Sequence, residues 1–459
     1  MKSVCLHKKG KNHSLPQIIA ILIGSISSLS YGLLLAWTAP SIPKLVDDPT
    51  IHMTLEQASY FTVIPPIFMG LGVFLCPSIR DRFGINITVL VTAAFQLLSW
   101  ILIGIADRTW VFYIARAMSG IADAFVFSVI PVYIGEISLP KIRGTWGALI
   151  GINIFIGVFL VNAINMIYNV KQTAIVCGIF PLLQICLLII LPESPYYLIR
   201  KGEKAKAKKS LELLRWRSDV EDELVILESD VQRQISESAT IKDLFVIKSN
   251  RKAIILCLTI RIVQQFSGLS AFETHTDYMF EQETGMLSEE KSTLTFTGVS
   301  ALSVILSGFI IEKLGRKPLL ILSSFGCAVI LGIESIYFGL KYFSDMDLSN
   351  VNWIPLTGMI LFTVVNATGL GAIPTLVLSE LFSAGVKSKA VLLTNFCFAV
   401  TLAVIPKLFQ TLIYNFDIFY AYCLFSACCL IGGVFFSFFM IETKGRTLEE
   451  IQLKLKGTK

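Results

Sequence analysis

Apolar residues occur along this chain in twelve runs of roughly 20, separated by shorter polar connections. A run of roughly 20 apolar residues is long enough to cross the hydrocarbon core of a bilayer. Each run must satisfy its backbone polar groups internally there, so helices are expected. The pattern therefore predicts an all-α membrane protein with twelve transmembrane helices. The predicted spans are 17–39, 58–79, 87–106, 111–134, 145–166, 172–191, 252–273, 292–313, 318–340, 353–379, 388–413 and 417–440.

One long polar stretch, from Glu193 to about Asn250, interrupts this pattern and leaves six spans on each side. Its mixed charges, punctuated by Ala and Leu, are typical of short surface helices. The sequence thus predicts two six-helix halves joined by a cytoplasmic helical linker. The predicted segments are an N-terminal tail (1–16), a first half (17–195), the linker (196–250), a second half (251–441) and a C-terminal tail (442–459).

Composition supports a membrane location, because 54% of the residues are apolar and only 16% are charged. A soluble domain carries about 25% charged residues. The net charge of +6 comes from basic residues before the first span and in alternate connections. By the positive-inside rule, both termini are predicted to be cytoplasmic. The basic excess is explained in this way, so no nucleic-acid partner is expected.

Acidic residues recur at matching helix ends of the two halves. The pairs, first half before second half, are Asp81 and Glu312, Glu136 and Glu380, and Glu193 and Glu442. They follow spans 2 and 8, 4 and 10, and 6 and 12. A six-span repeat with charged groups at equivalent corners is the plan of an alternating-access transporter.

Several motifs follow one another in a defined order. They are Asp81-Arg-Phe-Gly84, Arg116-x-x-x-Gly120, Pro131-Val-Tyr-Ile-Gly-Glu-Ile-Ser138, Arg143-Gly144, Pro192-Glu-Ser-Pro195, Gln264-Gln-Phe-Ser-Gly268, Gly315-Arg-Lys317, Glu380-Leu-Phe382 and Glu442-Thr-Lys-Gly-Arg-Thr447. This set resembles the sugar porters of the major facilitator superfamily, over nearly the whole chain. Details of the first and sixth spans are similar to the insect facilitated trehalose transporter branch. The resemblance implies the major facilitator fold, a small sugar as substrate, no cofactor, and a monomeric transport unit in the plasma membrane.

Charged groups at the cytoplasmic corners are candidates for a gate. Arg or Lys beside Glu can form charge-assisted bonds that hold one closed state and break when it opens. We expect Glu136 to pair with Arg143, and Glu380 to pair with Arg316 and Lys387. The alternative is that these charges anchor helix ends at the lipid headgroups. The full predicted gating set is Asp81, Arg82, Glu136, Arg143, Glu193, Glu312, Arg316, Glu380, Lys387 and Glu442.

Two adjacent amides, Gln264 and Gln265, lie in the apolar seventh run, where an unpaired amide is costly. They match the glutamines that bind sugar hydroxyls in the family that the chain resembles. The alternative is that they join two helices. Four further residues are predicted to line the sugar site: Asn153, Ser270, Thr274 and Thr375.

The chain departs from the family pattern at several places. Ile85 and Asn86 stand where two basic residues are usual, which predicts a weaker latch in the first half. In the tenth span, Gly371-Ala-Ile-Pro-Thr375 lacks the usual Trp, so the pocket is expected to be altered.

Arg116 and Asp123 are charges inside the fourth span, seven residues apart and therefore on one helix face. Asp123 is interpreted as a counter-ion for Arg116, with a proton site as the alternative. The first span, from Tyr31 to Trp37, contains no acid, whereas proton-coupled sugar porters carry one there. That difference favours uniport.

Three functional hypotheses follow. The first is a facilitative uniporter of trehalose or a hexose. The second is a sugar sensor that keeps the fold without cycling, and the third is a proton-coupled symporter that uses Asp123. The sequence contains no P-loop, nucleophile elbow or metal motif, so neither an enzyme nor a metal site is expected.

Overall fold

The computed structural model describes residues 15–51, 53–139, 146–236, 240–281, 288–344, 348–382, 384–446, 450–451 and 454–455. Within these ranges all regular secondary structure is helical. Consecutive long helices are joined by short connections, so they alternate in direction. We call the side that carries residues 195–247 the linker face, and the other side the opposite face.

The first half contains six spanning segments. They are α1 (Leu15–Ala36), which continues as α2 (Thr38–Val46), then α3 (Leu55–Phe83), α4 (Ile85–Ile105), α5 (Thr109–Ile137), α6 (Leu149–Ile167) and α7 (Val170–Leu187). Trp37 separates α1 from α2 without ending the helical path, because its N–H still donates to the Leu33 carbonyl at 3.1 Å. The first, second and fourth of these spans extend several residues beyond the predicted apolar runs.

The linker forms four short helices, α8 (Pro195–Arg200), α9 (Lys204–Arg215), α10 (Glu221–Ser236) and α11 (Asp243–Val246). The first three share a small apolar core that includes Leu198, Leu211 and Leu224. Their charged faces remain exposed, which explains why the sequence of this stretch looks polar.

The second half repeats the plan of the first. Its helices are α12 (Lys248–Phe266), α13 (Leu269–Thr274), α14 (Thr276–Glu281), α15 (Glu289–Leu314), α16 (Arg316–Phe343), α17 (Ile354–Thr368), α18 (Ile373–Leu381), α19 (Ala384–Asn415) and α20 (Ile418–Phe439). Two spans are interrupted within the membrane, the seventh at Gly268 between α12 and α13 and the tenth between α17 and α18.

Among the described residues, eleven helical segments are long and apolar enough to cross a membrane. The predicted seventh span is absent from that count. Its helix α12 carries Arg251, Lys252 and Arg261 and ends at Phe266. It nevertheless packs within the second half against α18, α19 and α20, as a twelfth span should. The predicted all-α architecture of two six-helix halves is confirmed.

The two halves share part of their apolar packing and meet along equivalent pairs of helices. One large core lies in the second half and one in the first, whereas a third joins the first half to Phe398, Ala399 and Leu402 of α19. The halves meet where α3 packs on α19 and where α6 packs on α15. The short helix α13, which follows the break in the seventh span, also contacts α1 and α2 of the first half.

Candidate central site and helix-end corners

Gln264 lies in the last turn of α12 and is held at both ends of its amide. Its Oε1 accepts a hydrogen bond from Arg261 Nη1 at 2.9 Å, and its Nε2 donates to the Gly371 carbonyl at 3.0 Å. Gly371 lies in the break between α17 and α18, where carbonyls are free of helical partners. Gln264 therefore joins the two broken spans.

The neighbouring polar groups retain hydrogen-bonding capacity. Gln265 and Ser270 are buried, yet Gln265 Oε1 and Ser270 Oγ have no partner in the protein. Asn366 on α17 donates to Ser267 Oγ at 3.1 Å, while its own Oδ1 has no partner. Thr274 Oγ1 donates to the Ser270 carbonyl at 2.8 Å and can still accept. Buried polar atoms without partners are rare in proteins, so this group is a candidate ligand site.

Arg261 was not among the residues that the sequence singled out. Its Nη2 donates to Thr375 Oγ1 at 3.1 Å, and its Cζ lies 5.1 Å from the centroid of the Phe398 ring on α19. The side chain is 5% exposed, although its partner Thr375 is exposed. The signal in the sequence was a cation three residues before Gln264, which a helix places on the same face.

Asn153 belongs to α6, in the other half of the protein. Its Nδ2 donates to the carbonyl of Ser25 at 3.1 Å and to its hydroxyl at 2.9 Å. These bonds tie α6 to α1. Its predicted contact with a sugar stays a prediction.

A cavity lies between the halves, toward the opposite face. Its lining includes Tyr31, Arg116 and Asp123 from the first half and Thr274 and Leu402 from the second. Residues of both halves thus enclose the same space.

The two predicted intramembrane charges share this cavity without touching. Arg116 donates to the Phe61 carbonyl at 3.0 Å and to the Leu34 carbonyl at 2.7 Å. Asp123 forms no ion pair within 4.0 Å of it, and Asp123 Oδ1 has no partner. The direct ligands of Arg116 are therefore carbonyls, and Asp123 can balance its charge only across the cavity.

At the linker face, one corner of the first half is built around Glu193. Its carboxylate accepts hydrogen bonds from the first two N–H groups of α4, those of Ile85 at 3.0 Å and Asn86 at 3.3 Å. Glu136 at the end of α5 accepts a hydrogen bond from the Ser194 hydroxyl. A carboxylate at a helix N-terminus is favoured by the unpaired N–H groups and by the helix dipole. We call this group the first corner.

The equivalent second corner is built around Glu442. Its carboxylate accepts hydrogen bonds from the first two N–H groups of α16, those of Arg316 and Lys317, both at 3.0 Å. Thr443 Oγ1 donates to Glu380 Oε2 at 2.5 Å. The Arg316 guanidinium adds two bonds to Glu380 Oε1, at 2.8 and 3.2 Å. The predicted pair of Glu380 with Arg316 is thus in contact.

A glycine precedes the capped helix in both corners. Gly84 has φ +96° and ψ 174°, and Gly315 has φ +94° and ψ 173°, a region that only glycine occupies readily. A Cβ at Gly84 would lie 2.5 Å from Glu193 Oε2, and one at Gly315 would lie 2.7 Å from Glu442 Oε2. Both corners therefore need glycine for its backbone and for the space.

The two capping carboxylates differ electrostatically. Burial raises the pKa of Glu193, and its backbone hydrogen bonds offset only part of that effect. Burial acts in the same direction on Glu442, but four backbone N–H groups outweigh it and hold its pKa below the ordinary value. The second corner therefore stabilises its carboxylate in the charged form more strongly.

The linker supplies cations and donors to the first corner. Arg200 forms an ion pair with Asp81 at 2.8 Å, and Ser210 Oγ donates to the Glu193 carbonyl at 2.5 Å. Arg215 is buried and donates to the Ile137 carbonyl, at the end of α5, at 2.9 Å. None of these three linker residues was predicted to act here.

The remaining predicted gating residues are Arg82, Arg143, Glu312 and Lys387. Arg82 lies with its Cζ 5.2 Å from the centroid of the Phe83 ring. Arg143 lies outside the described residues, as does the side chain of Glu312, so both stay predictions. Lys387 lies in α19, and its pairing with Glu380 likewise stays a prediction.

At the opposite face, Lys407 of α19 joins the two halves. Its Nζ donates to Ser59 Oγ of α3 at 3.0 Å and lies 5.6 Å from the centroid of the Tyr60 ring. This contact could not be expected from the sequence, because it depends on how α3 and α19 meet. Within the described ranges, no three His, Cys, Asp or Glu residues are grouped so that they could hold a metal ion.

The fold is that of the major facilitator superfamily. The proton:xylose symporter XylE, bound to 6-bromo-6-deoxy-D-glucose, matches with a TM-score of 0.80 and 19% identity over 96% of this chain and 100% of that chain. XylE from E. coli in a partially occluded inward-open conformation matches with a TM-score of 0.79 and 18% identity over 95% of this chain and 100% of that chain. The molecule is an integral membrane protein with this fold.

The chain belongs to a transporter family described as "Sugar (and other) transporter", whose model matches residues 46–455. Its relatives include the facilitated trehalose transporter Tret1 of Polypedilum vanderplanki, with 30% identity over 96% of this chain and 88% of the relative. The Tret1 of Culex quinquefasciatus is 29% identical over 96% of this chain and 86% of the relative. The Tret1 of Anopheles gambiae is 29% identical over 96% of this chain and 56% of the relative. The predicted resemblance to sugar porters is confirmed, and the chain is a transporter rather than an enzyme.

Proposed function

We propose that this protein is a facilitative transporter of a small sugar, with trehalose or a hexose as the first candidates. The observation that carries the proposal is the set of buried atoms without protein partners at the two broken spans, Gln265 Oε1, Ser270 Oγ and Asn366 Oδ1. Sugar hydroxyls both donate and accept hydrogen bonds, so they suit such a mixed set. The trehalose transporters among the relatives support the same substrate class.

The mechanism that we propose is rocking of the first half against the second around this site. Each half has one large core of its own, and the halves meet along paired helices, which suits rigid-body movement. The corner bonds lie within each half, at the linker face, whereas Lys407 and Ser59 bridge the halves at the opposite face. We therefore place the closed gate of this conformation at the opposite face.

The linker face is proposed to be cytoplasmic, in the plasma membrane, because the basic connections of the sequence lie on that side. The transport unit is proposed to be a monomer, since each half finds its partner within one chain. Labelling of single cysteines placed in the linker and in the 47–54 connection of intact cells tests the orientation.

Uptake by purified protein in liposomes tests the function. We expect saturable uptake of trehalose or a hexose, and Gln265→Ala is expected to raise KM about tenfold or more, because an acceptor for a sugar hydroxyl is lost. Gln184→Ala is the matched control, since the Gln184 amide is also buried but is bonded at both ends within the first half, where it accepts from Ser27 Oγ at 2.9 Å and donates to the Ile23 and Gly24 carbonyls. A change of KM in the control alone, or in both variants equally, contradicts the assignment of Gln265.

Proton-coupled symport is the second candidate, and the unpartnered Asp123 Oδ1 in a cavity between the halves favours it. We expect uniport, because the first span has no acid from Tyr31 to Trp37. Uptake with and without an imposed pH gradient separates the two. If the wild type accumulates sugar in response to the pH gradient and Asp123→Asn does not, the protein is a symporter instead.

A further inference from the structure

Arg261 is a buried cation without an acidic partner. Its side chain is 5% exposed. It donates hydrogen bonds to two neutral oxygens, those of Gln264 and Thr375, and its Nε has no partner. None of the ion pairs that join described residues includes Arg261. A guanidinium buried in this way is costly unless an anion reaches it.

Arg261 lies on the side of the second half that faces the first half. Its guanidinium stacks on Phe398, whose ring lies 5.3 Å from that of Phe127 on α5. Phe127 in turn contacts Tyr31 on α1, with ring centroids 5.0 Å apart. This row of rings crosses the interface between the halves. In an alternating-access transporter, substrate binds at that interface.

The guanidinium lies just below the surface of the second half. Thr375, which accepts its Nη2 bond, is exposed, so one hydrogen bond separates the buried cation from that surface. The remaining N–H groups of a guanidinium form a planar fork that matches a carboxylate or phosphate. The unpartnered Gln265 and Ser270 atoms lie along the next turns of the same broken span and suit hydroxyl groups.

We propose that Arg261 makes this site selective for a sugar or polyol that carries an anionic group, a carboxylate or a phosphate. This inference rests on the proposed transport of a small sugar and narrows its substrate class. The anionic group binds the Arg261 fork, and the hydroxyls bind the polar atoms nearer to Gly268. A neutral sugar fills the hydroxyl positions alone and leaves the cation unpaired.

Wild-type protein in liposomes provides the first test. Trehalose, glucose, glucuronate and glucose 6-phosphate are compared as labelled substrates and as competitors. We expect at least one of the two anions to be taken up with a lower KM than glucose, and the better of them identifies carboxylate or phosphate. An inside-positive potential of about 100 mV should accelerate uptake of the anion and leave glucose uptake unchanged, because only the anion carries charge.

Variants then test the role of Arg261 itself. Arg261→Gln is expected to raise KM for the anionic sugar on the order of 30-fold or more, as truncation of a buried charge pair does, and to raise KM for glucose by a clearly smaller factor, because glucose forms no ion pair with the guanidinium. Arg261→Lys keeps the charge without the fork, so an intermediate KM is expected. Lys171→Gln is the matched control, because it removes a cation from an exposed pair with Asp107.

The possible failures are distinguishable. Uptake of trehalose or glucose with neither uptake of nor competition by the anions would overturn this inference and leave the proposed function intact. No uptake of any of the four sugars would overturn both. If Arg261→Gln and Thr375→Val slow all sugars equally, Arg261 is a clamp between α12 and α18, and the inference is wrong. The wild-type competition decides the question even if a variant does not fold.

Discussion

The two corners at the linker face have the same backbone design and different electrostatics. In each, a glycine with positive φ precedes a helix whose first two N–H groups bind a glutamate, Glu193 in the first corner and Glu442 in the second. The second corner also has an ion pair within the half, between Arg316 and Glu380. The first has Ile85 at the position of Arg316, and Glu136 bonds to a hydroxyl.

The first corner obtains cations from its own half, where Arg80 pairs with Asp81 at 3.0 Å, and from the linker. Arg200 pairs with Asp81, and Arg215 bonds to the carbonyl that ends α5. The repeated backbone therefore conserves the capping geometry in both halves, while the charges that stabilise it come from different parts of the chain. The comparison teaches that the first corner can be stabilised without the basic residues that Ile85 and Asn86 replace, because cations of the linker pack there.

The largest effect is expected from removing the shared backbone feature. Gly84→Ala and Gly315→Ala should each destabilise the protein by about 3 kcal/mol, since alanine is strained at this φ and ψ and its Cβ displaces the capping glutamate. Thermal unfolding in detergent measures both. Equal losses support a common design, whereas a much smaller loss at either glycine would break the comparison.

Neutralising the other glutamate of each corner, Glu136 or Glu380, is expected to destabilise the protein less, and by different amounts. Glu380→Gln should cost about 2 kcal/mol, because it leaves Arg316 without its partly buried partner. Glu136→Gln should cost less than about 1 kcal/mol, because an amide oxygen can still accept from Ser194. Chemical unfolding of the two variants side by side gives the difference. A greater loss for Glu136→Gln would show that the first corner depends on charge after all.

The smallest effect is a difference in pH dependence. The pKa of Glu442 is lowered, so its stabilising contribution is present above the ordinary glutamate value and is lost as pH falls through the lowered pKa. The pKa of Glu193 is raised, so its contribution is present below the ordinary value and is lost as pH rises through the raised pKa.

Melting temperatures of the wild type, Glu442→Gln and Glu193→Gln between about pH 4 and pH 7 test this difference, around the ordinary glutamate pKa of about 4.3. The advantage of the wild type over Glu442→Gln should shrink toward low pH, and its advantage over Glu193→Gln should grow. If the melting temperatures of the two variants change with pH in the same way, the proposed electrostatic difference between the corners is wrong.

Much of the site could be found in the sequence, but its organisation could not. Gln264 and Gln265 were identifiable because amides in an apolar run are conspicuous. That Gln264 is engaged at both ends while Gln265 keeps a free oxygen depends on the approach of Gly371 from another span. Arg261 lies within the predicted seventh span and was missed because its partners, Thr375 and Phe398, belong to other spans. Lys407 was missed because its partner Ser59 lies 348 residues away.

The sequence by itself determined the twelve apolar segments, the division at the linker and the repeat of acidic corners. Hydrophobic length and the order of helix ends are local properties, and the bilayer permits only helices for such segments. The tertiary structure alone decided which polar groups meet. It brought Arg200 to Asp81, placed Arg261 on Phe398 at the boundary of the halves, and gave Arg116 two carbonyls in place of Asp123. Those pairings follow from packing between segments that are distant in the chain, and no local pattern records them.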